Sequence, residues 1–249
     1  MESRLSHEKL DVYQNSVAFV ATAYELSESS TIRVAAMDQL LRAAESVPIN
    51  IAAANTQPGK TSEIQSLDIA SGSLAECASA LDVLAIWKIL PEAGASAQKK
   101  VLLANYRMLL ALRNSKEDRL HEDSPTYSSD CFPHENLECY KGALQLVRWT
   151  TDHFSRDTLV APHFNALDRS ATSIVLNIAE GNARRTPKDK ARFFQMAVSS
   201  ALRFAAHLDI VRARGLSPSS GIEKGKGLVS QVTAQLLGLK RHWNQIHED

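Results

Sequence analysis

The sequence predicts an all-α protein made of two tandem up-down-up-down four-helix bundles. Three observations carry that prediction. Residues 10–112 and 137–239 read as two copies of one unit, held in step by a constant offset of 127 residues with no gap. Tyr13 pairs with Tyr140 in this register, Arg42 with Arg169, Ser46 with Ser173, Asn50 with Asn177 and Asp82 with Asp209. A period this long exceeds any solenoid repeat and marks duplication of a whole domain. Apolar residues recur at steps of three and four, the period of an amphipathic helix. Alternating β-branched and polar runs are nearly absent, and Gly and Pro fall mostly between the helical blocks.

Each copy reads as four helices. Leu10, Tyr13, Val17, Val20 and Tyr24 form the stripe of helix one, answered by Leu137, Tyr140, Leu144 and Val147. Helix two spans about 31–54 and 159–181, rich in Ala, Leu and Ile. Helix three covers about 61–90 and 187–214. Thr186-Pro187-Lys188-Asp189 starts its second copy with a Thr cap, a Pro at the first helical position and an acid in the first turn. Helix four covers about 95–114 and 222–246, where Leu102 and Leu109 are matched by Val229 and Leu236. Long helices with short loops favour antiparallel neighbours. The expected division is a first bundle over 1–115, an acidic linker over 116–136 and a second bundle over 137–249. The linker segment is polar, acidic and Pro-containing.

The chain has 249 residues and a formal net charge of zero, but the halves differ. Residues 1–115 hold 10 basic and 12 acidic side chains, a net of −2; residues 116–136 hold 2 and 6, a net of −4; residues 137–249 hold 16 and 10, a net of +6. The copies have diverged electrostatically and are not expected to face the same partner. Without a run of about 18 apolar residues, no membrane span is expected. The start of the chain lacks the apolar stretch of a signal peptide. Cys77, Cys131 and Cys139, odd in number and unevenly spread, suit reduced thiols in a cytoplasm.

Arg169-Ser-Ala-Thr-Ser-Ile-Val-Leu-Asn-Ile-Ala-Glu-Gly181 and Ala70-Ser-Gly-Ser-Leu-Ala-Glu76 resemble the two signature segments of a small bacterial four-helix bundle family. That family is known from proteins encoded in 23S ribosomal RNA intervening sequences and from accessory proteins of diversity-generating retroelements. Leu10-Asp-Val-Tyr-Gln and Leu137-Glu-Cys-Tyr-Lys resemble its helix-one start. The resemblance covers nearly all of both copies. It implies an all-α bundle that oligomerises, commonly as a ring of five, and acts by binding RNA or protein rather than by catalysis. The chain departs from the pattern in a complementary way. The first copy has Ala53-Ala54 where Glu-Gly is expected but keeps Gly72-Ser-Leu-x-Glu76; the second keeps Glu180-Gly181 but has Ser199-Ser-Ala-Leu-Arg203 at the later motif. A fused pair therefore points to a pseudo-symmetric pair or a ring of pairs.

Arg42, Ser46 and Asn50, with Arg169, Ser173 and Asn177, lie at steps of four on helix two and share roughly one face. They form either a surface stripe for RNA or another subunit, or a polar network that fixes helix register. Retention in both copies while the charge diverges favours the network, and an internal Arg–Glu pair is the expected role of Glu76 and Glu180. Arg184, Arg185, Lys188, Lys190 and Arg192 gather at a loop and helix N-terminus, where backbone N–H groups and the helix dipole favour phosphate. The first copy has only Lys60 there. This is the candidate nucleic-acid site, set against a solvated turn.

Catalytic readings fare poorly. No Glu has His three residues later, so the di-iron motif of catalytic bundles is missing. Cys131, His134 and Cys139 fit no standard zinc spacing. Arg148 and His153 resemble the Arg-x4-His motif of HEPN-type ribonucleases, without counterpart at Ala21 and Leu26. No catalytic residue, metal or cofactor is expected. The expected function is non-catalytic binding or assembly, with RNA or an RNA-bound protein on the basic second bundle, or a self-associating scaffold without nucleic acid.

Overall fold

A computed structural model describes residues 5–54, 60–116, 129–154, 159 and 161–248. Eight α-helices account for nearly all of them: α1 (Asp11–Ser29), α2 (Ala35–Ala54), α3 (Lys60–Ile86), α4 (Glu92–Lys116), α5 (Glu138–His153), α6 (Ala161–Ala183), α7 (Pro187–Ala213) and α8 (Ser219–Glu248). No strand occurs among the described residues. In each copy successive helices pack as antiparallel neighbours and the first closes against the fourth, α1 on α4 and α5 on α8. The two four-helix bundles are present as expected.

Helix ends follow local chemistry. At the start of α7 the Thr186 Oγ1 accepts the Asp189 N–H at 3.0 Å and donates to the Asp189 carboxylate at 2.7 Å. Helix two starts later than its composition predicts, at Ala35. The Ser30 hydroxyl takes the Ile32 N–H at 3.2 Å and offers the backbone an alternative to helix. Helix three of the first copy stops at Ile86, short of the predicted residue 90, because Lys88 turns left-handed with φ 56°. The Ile89 N–H then returns to the Leu84 carbonyl at 3.0 Å, closing a Schellman motif. Gly215, the counterpart of Lys88, makes the same turn at φ 65°.

The repeat begins earlier than its apolar stripe. A 3₁₀ turn over Ser6–Lys9 precedes α1, and its counterpart Pro133–Asn136 precedes α5. Phe132 is buried against Tyr106 at 5.3 Å between ring centres, and His134 is buried against Tyr140 at 4.7 Å. Residues 132–136 are thus packed structure of the second unit rather than linker. Lys116 ends α4, and residues 117–128 of the expected linker lie outside the described residues.

Helix α3 is the centre of the molecule. It packs against α2 and α4 of its own bundle and against α5 and α6 of the other. Residues 70–75 and 77–81 are buried without interruption, so the helix is apolar on every side rather than on one stripe. That explains why Thr61–Ile86 has the length and composition of a membrane span while 72% of its most apolar window is buried inside the protein.

Candidate functional site: the joint between bundles and the basic tip

The bundles meet along α3 and α6, and the joint is built from the signature residues that the two copies did not lose in common. Gly72 on α3 lets α6 approach closely: a Cβ there would lie 3.3 Å from the Glu180 Cγ and 3.4 Å from the Arg184 guanidinium carbon. One turn along, Glu76 shares this space with Glu180, Arg184 and Arg42. Burial, reinforced by the Glu180 charge, pushes the Glu76 carboxyl up to about 8, against the pull of Arg42 and Arg184. Glu180 is ion-paired with Arg184 one turn later on α6. An Arg–Glu pair is thus found for Glu180 within its own helix, whereas Glu76 feels the charges of Arg42 and Arg184 across the joint but is held largely protonated.

Further links run along the same seam. The Ala35 N–H, at the start of α2, donates to the Asp168 carboxylate of α6 at 2.8 Å. Trp87 meets Phe164 edge-on at 5.4 Å. The Tyr140 hydroxyl of α5 donates to Asp82 of α3 at 2.7 Å, and Lys99 bridges Asp82 and Glu135 at 2.9 and 2.8 Å. Burial raises the Asp82 carboxyl, partly offset by Lys99 and the Tyr140 hydrogen bond. Burial opposes the Lys99 charge, but Asp82 and Glu135 outweigh it and raise the ammonium. Beside this network the His134 Nε2 lies 3.1 Å from the Ser79 hydroxyl. Burial, then the Lys99 charge, lowers that imidazole to about 3, so it is neutral. Asp82, Lys99 and Glu135 border a cavity of about 330 Å³ that also touches Cys131 and Arg148.

The helix-two stripe is divided by the fold. The Asn50 amide donates to the Ser46 carbonyl at 2.8 Å, and the Ser73 hydroxyl donates to the Ser46 Oγ at 2.8 Å. Asn177, Ser173 and Ser200 repeat the arrangement at 2.7 and 2.9 Å. The serines thus tie helix two to helix three inside each bundle, and each Asn amide bonds back to the helix-two serine. The arginines do not join them: Arg42 and Arg169 are exposed and border the groove between α2 and α6.

The basic tip is divided as well. Arg184 is turned inward, paired with Glu180 and stacked over Phe193 at 4.8 Å. Lys190 donates to the Asn182 carbonyl at 2.7 Å, lies 4.8 Å from the Trp243 ring centre, and is lowered to about 8 by burial. Arg185, Lys188 and Arg192 are exposed. The tip continues along α7 to Arg203, which the sequence reading left out although its position relative to Arg192 could have shown it. Eleven residues is close to three helical turns, so the two share one face about 16 Å apart. Nearby, Arg214 lies 3.1 Å from the His163 Nε2, and burial, His163 and Arg169 together lower His207.

Other candidate residues are not brought together. Arg148 borders the cavity at the joint, whereas His153 stacks on Trp149 at 5.0 Å near Gly221 of α8. Five residues on a helix place the two side chains about 140° apart. Cys131 contacts Ser129 and Asn136, Cys139 is buried in α5, and His134 faces Ser79.

The model of the 23S rRNA-intervening sequence protein family matches residues 8–110 and again residues 135–238. The chain belongs to that family. No curated protein and no solved structure matches it. Both matched stretches begin inside the 3₁₀ turns, at the equivalent residues Glu8 and Glu135. In this 23S rRNA-intervening sequence family member, Gly72 and Glu76 of one copy meet Glu180 of the other in a single joint, while Gly181 faces Phe193 of its own bundle.

Proposed function

We propose that this family member is a non-catalytic binding protein whose second bundle engages RNA, or a protein bound to RNA, through its outward face. The observation that carries this reading is an exposed basic row, Lys188, Arg192 and Arg203 on α7, beginning beside Arg185. The corresponding positions of the first copy are Thr61, Gln65 and Glu76, and there Glu76 is covered by the other bundle. Guanidinium groups along a helix face suit phosphate, and Arg185 and Lys188 add charge at the end where the dipole is positive. The family's tie to 23S rRNA intervening sequences favours RNA over other polyanions. Three free thiols fit a reducing cytoplasm.

Band shifts with structured RNA across a salt series test the reading. The substitution Lys188→Ala/Arg192→Ala/Arg203→Ala is expected to weaken binding at least tenfold and to flatten the salt dependence, since each lost phosphate contact reduces the slope by about one. Equal binding by both proteins would sink the assigned face. A scaffold without nucleic acid is the second reading, favoured by the polar joint itself, and it predicts no RNA retention even at low salt.

A further inference from the structure

The copies are related by a head-to-tail contact, in which α3 of one receives α6 of the next. Such a contact is heterologous and leaves one unused face at each end: the α7 face of the second bundle and the α2 face of the first. Passing the joint on to another copy of the chain would require those two faces to repeat it. The 127-residue register states which residues would meet.

They reproduce it only in part. The Ala35 N–H to Asp168 bond would fall on Pro162, which has no N–H, and on Leu41, which has no carboxylate. Glu76 facing Glu180 would become Arg203 facing Ala53, and the counterpart of Arg184 lies outside the described residues. Trp87 against Phe164 becomes Arg214 against Met37. Ser79 opposite His134 becomes Ala206 opposite His7. What survives is one polar cluster, Tyr13, Asp209, Lys226 and Glu8, counterparts of Tyr140, Asp82, Lys99 and Glu135. Lys226 holds Asp209 at 2.5 Å as Lys99 holds Asp82, but Arg212, where the first copy has Ala85, also draws on Asp209 at 3.0 Å.

We infer that the chain makes this joint once, internally, and that its outward faces have lost the ability to pass it on to a second copy of the same chain. Losses on both partners of the same contact are what relaxation of an abandoned interface produces, and they explain why each copy kept a different half of the signature. The duplicated chain is in this sense a closed pair that has capped its own assembly.

The test is the solution mass of the full chain by sedimentation over a wide concentration range, after nuclease treatment so that bridging RNA is not counted. The expected result is the single-chain mass of 27.3 kDa throughout. The companion variant Leu202→Asp/Ile210→Asp charges two α7 residues that are 58% and 43% exposed, so it should fold, with helicity as the check. A larger wild-type species that this variant returns to single-chain mass overturns the inference. A larger species indifferent to the variant uses another surface and leaves the joint single, as inferred. The outcome is independent of whether the basic face binds RNA.

Discussion

Asn105 and its counterpart Val232 show what the duplication reveals one residue at a time. Both sit on the fourth helix of their copy and both are buried, but neither polar atom of the Asn105 amide has a hydrogen-bond partner. A buried amide without partners costs about 1–3 kcal/mol. Asn105→Val, which adopts the solution already used in the second bundle, should raise stability by about 1–2 kcal/mol on that ground. Urea unfolding would show it as a higher midpoint with unchanged slope; an unchanged or lower midpoint would mean the amide is satisfied in solution. Gly181 and its counterpart Ala54 make a second such comparison: a Cβ on Gly181 would lie 2.7 Å from the Phe193 Cβ, so helices two and three of the second bundle approach more closely there than an alanine allows.

Among the elements, the two third helices end in one motif with different residues. Lys88 holds the left-handed turn that Gly215 holds in the second copy. A side chain in this conformation costs about 1 kcal/mol that glycine avoids. Lys88→Gly should therefore stabilise the chain by about 1 kcal/mol, read as a rise in melting temperature; a fall would show that the Lys88 side chain contributes more than its backbone costs. The helices themselves were legible from the three- and four-residue apolar steps, and the α7 start from Thr186-Pro187. The 3₁₀ turns were not, because four residues give no period and the burial around the second depends on Tyr106 and Tyr140 elsewhere in the chain. The membrane-like apolarity of α3 likewise needs α5 and α6 in place before it reads as a doubly covered core helix.

At the scale of the molecule, the joint sets how stability responds to pH. Glu76 titrates near 8 in the fold, against about 4.3 in an open chain. The folded state thus binds more protons than the unfolded state between those values, and stability falls as pH rises through that window. His134, lowered to about 3, is neutral in both states above pH ~6.5 and drops out. Between pH ~6.5 and ~8 the wild type should lose stability while Glu76→Gln stays flatter and overtakes it at the upper end. Parallel curves for the two proteins would place the raised group elsewhere.

The sequence by itself determined the all-α class, the two copies and their common register, because apolar period and internal repetition are local and additive. It also displayed the complementary loss of signature residues, yet gave no reason for it. Only the tertiary structure decided that Gly72 and Glu76 face Glu180 and Arg184 and that Arg184 and Lys190 turn inward. It also placed Ser46 and Asn50 inside a bundle while Arg42 looks across to the other. Those outcomes depend on which helix of one copy lies against which helix of the other, and an identical register in both copies is silent on that choice. Packing α3 against α6 once, in one direction, broke the symmetry of the repeat and assigned different work to equivalent residues.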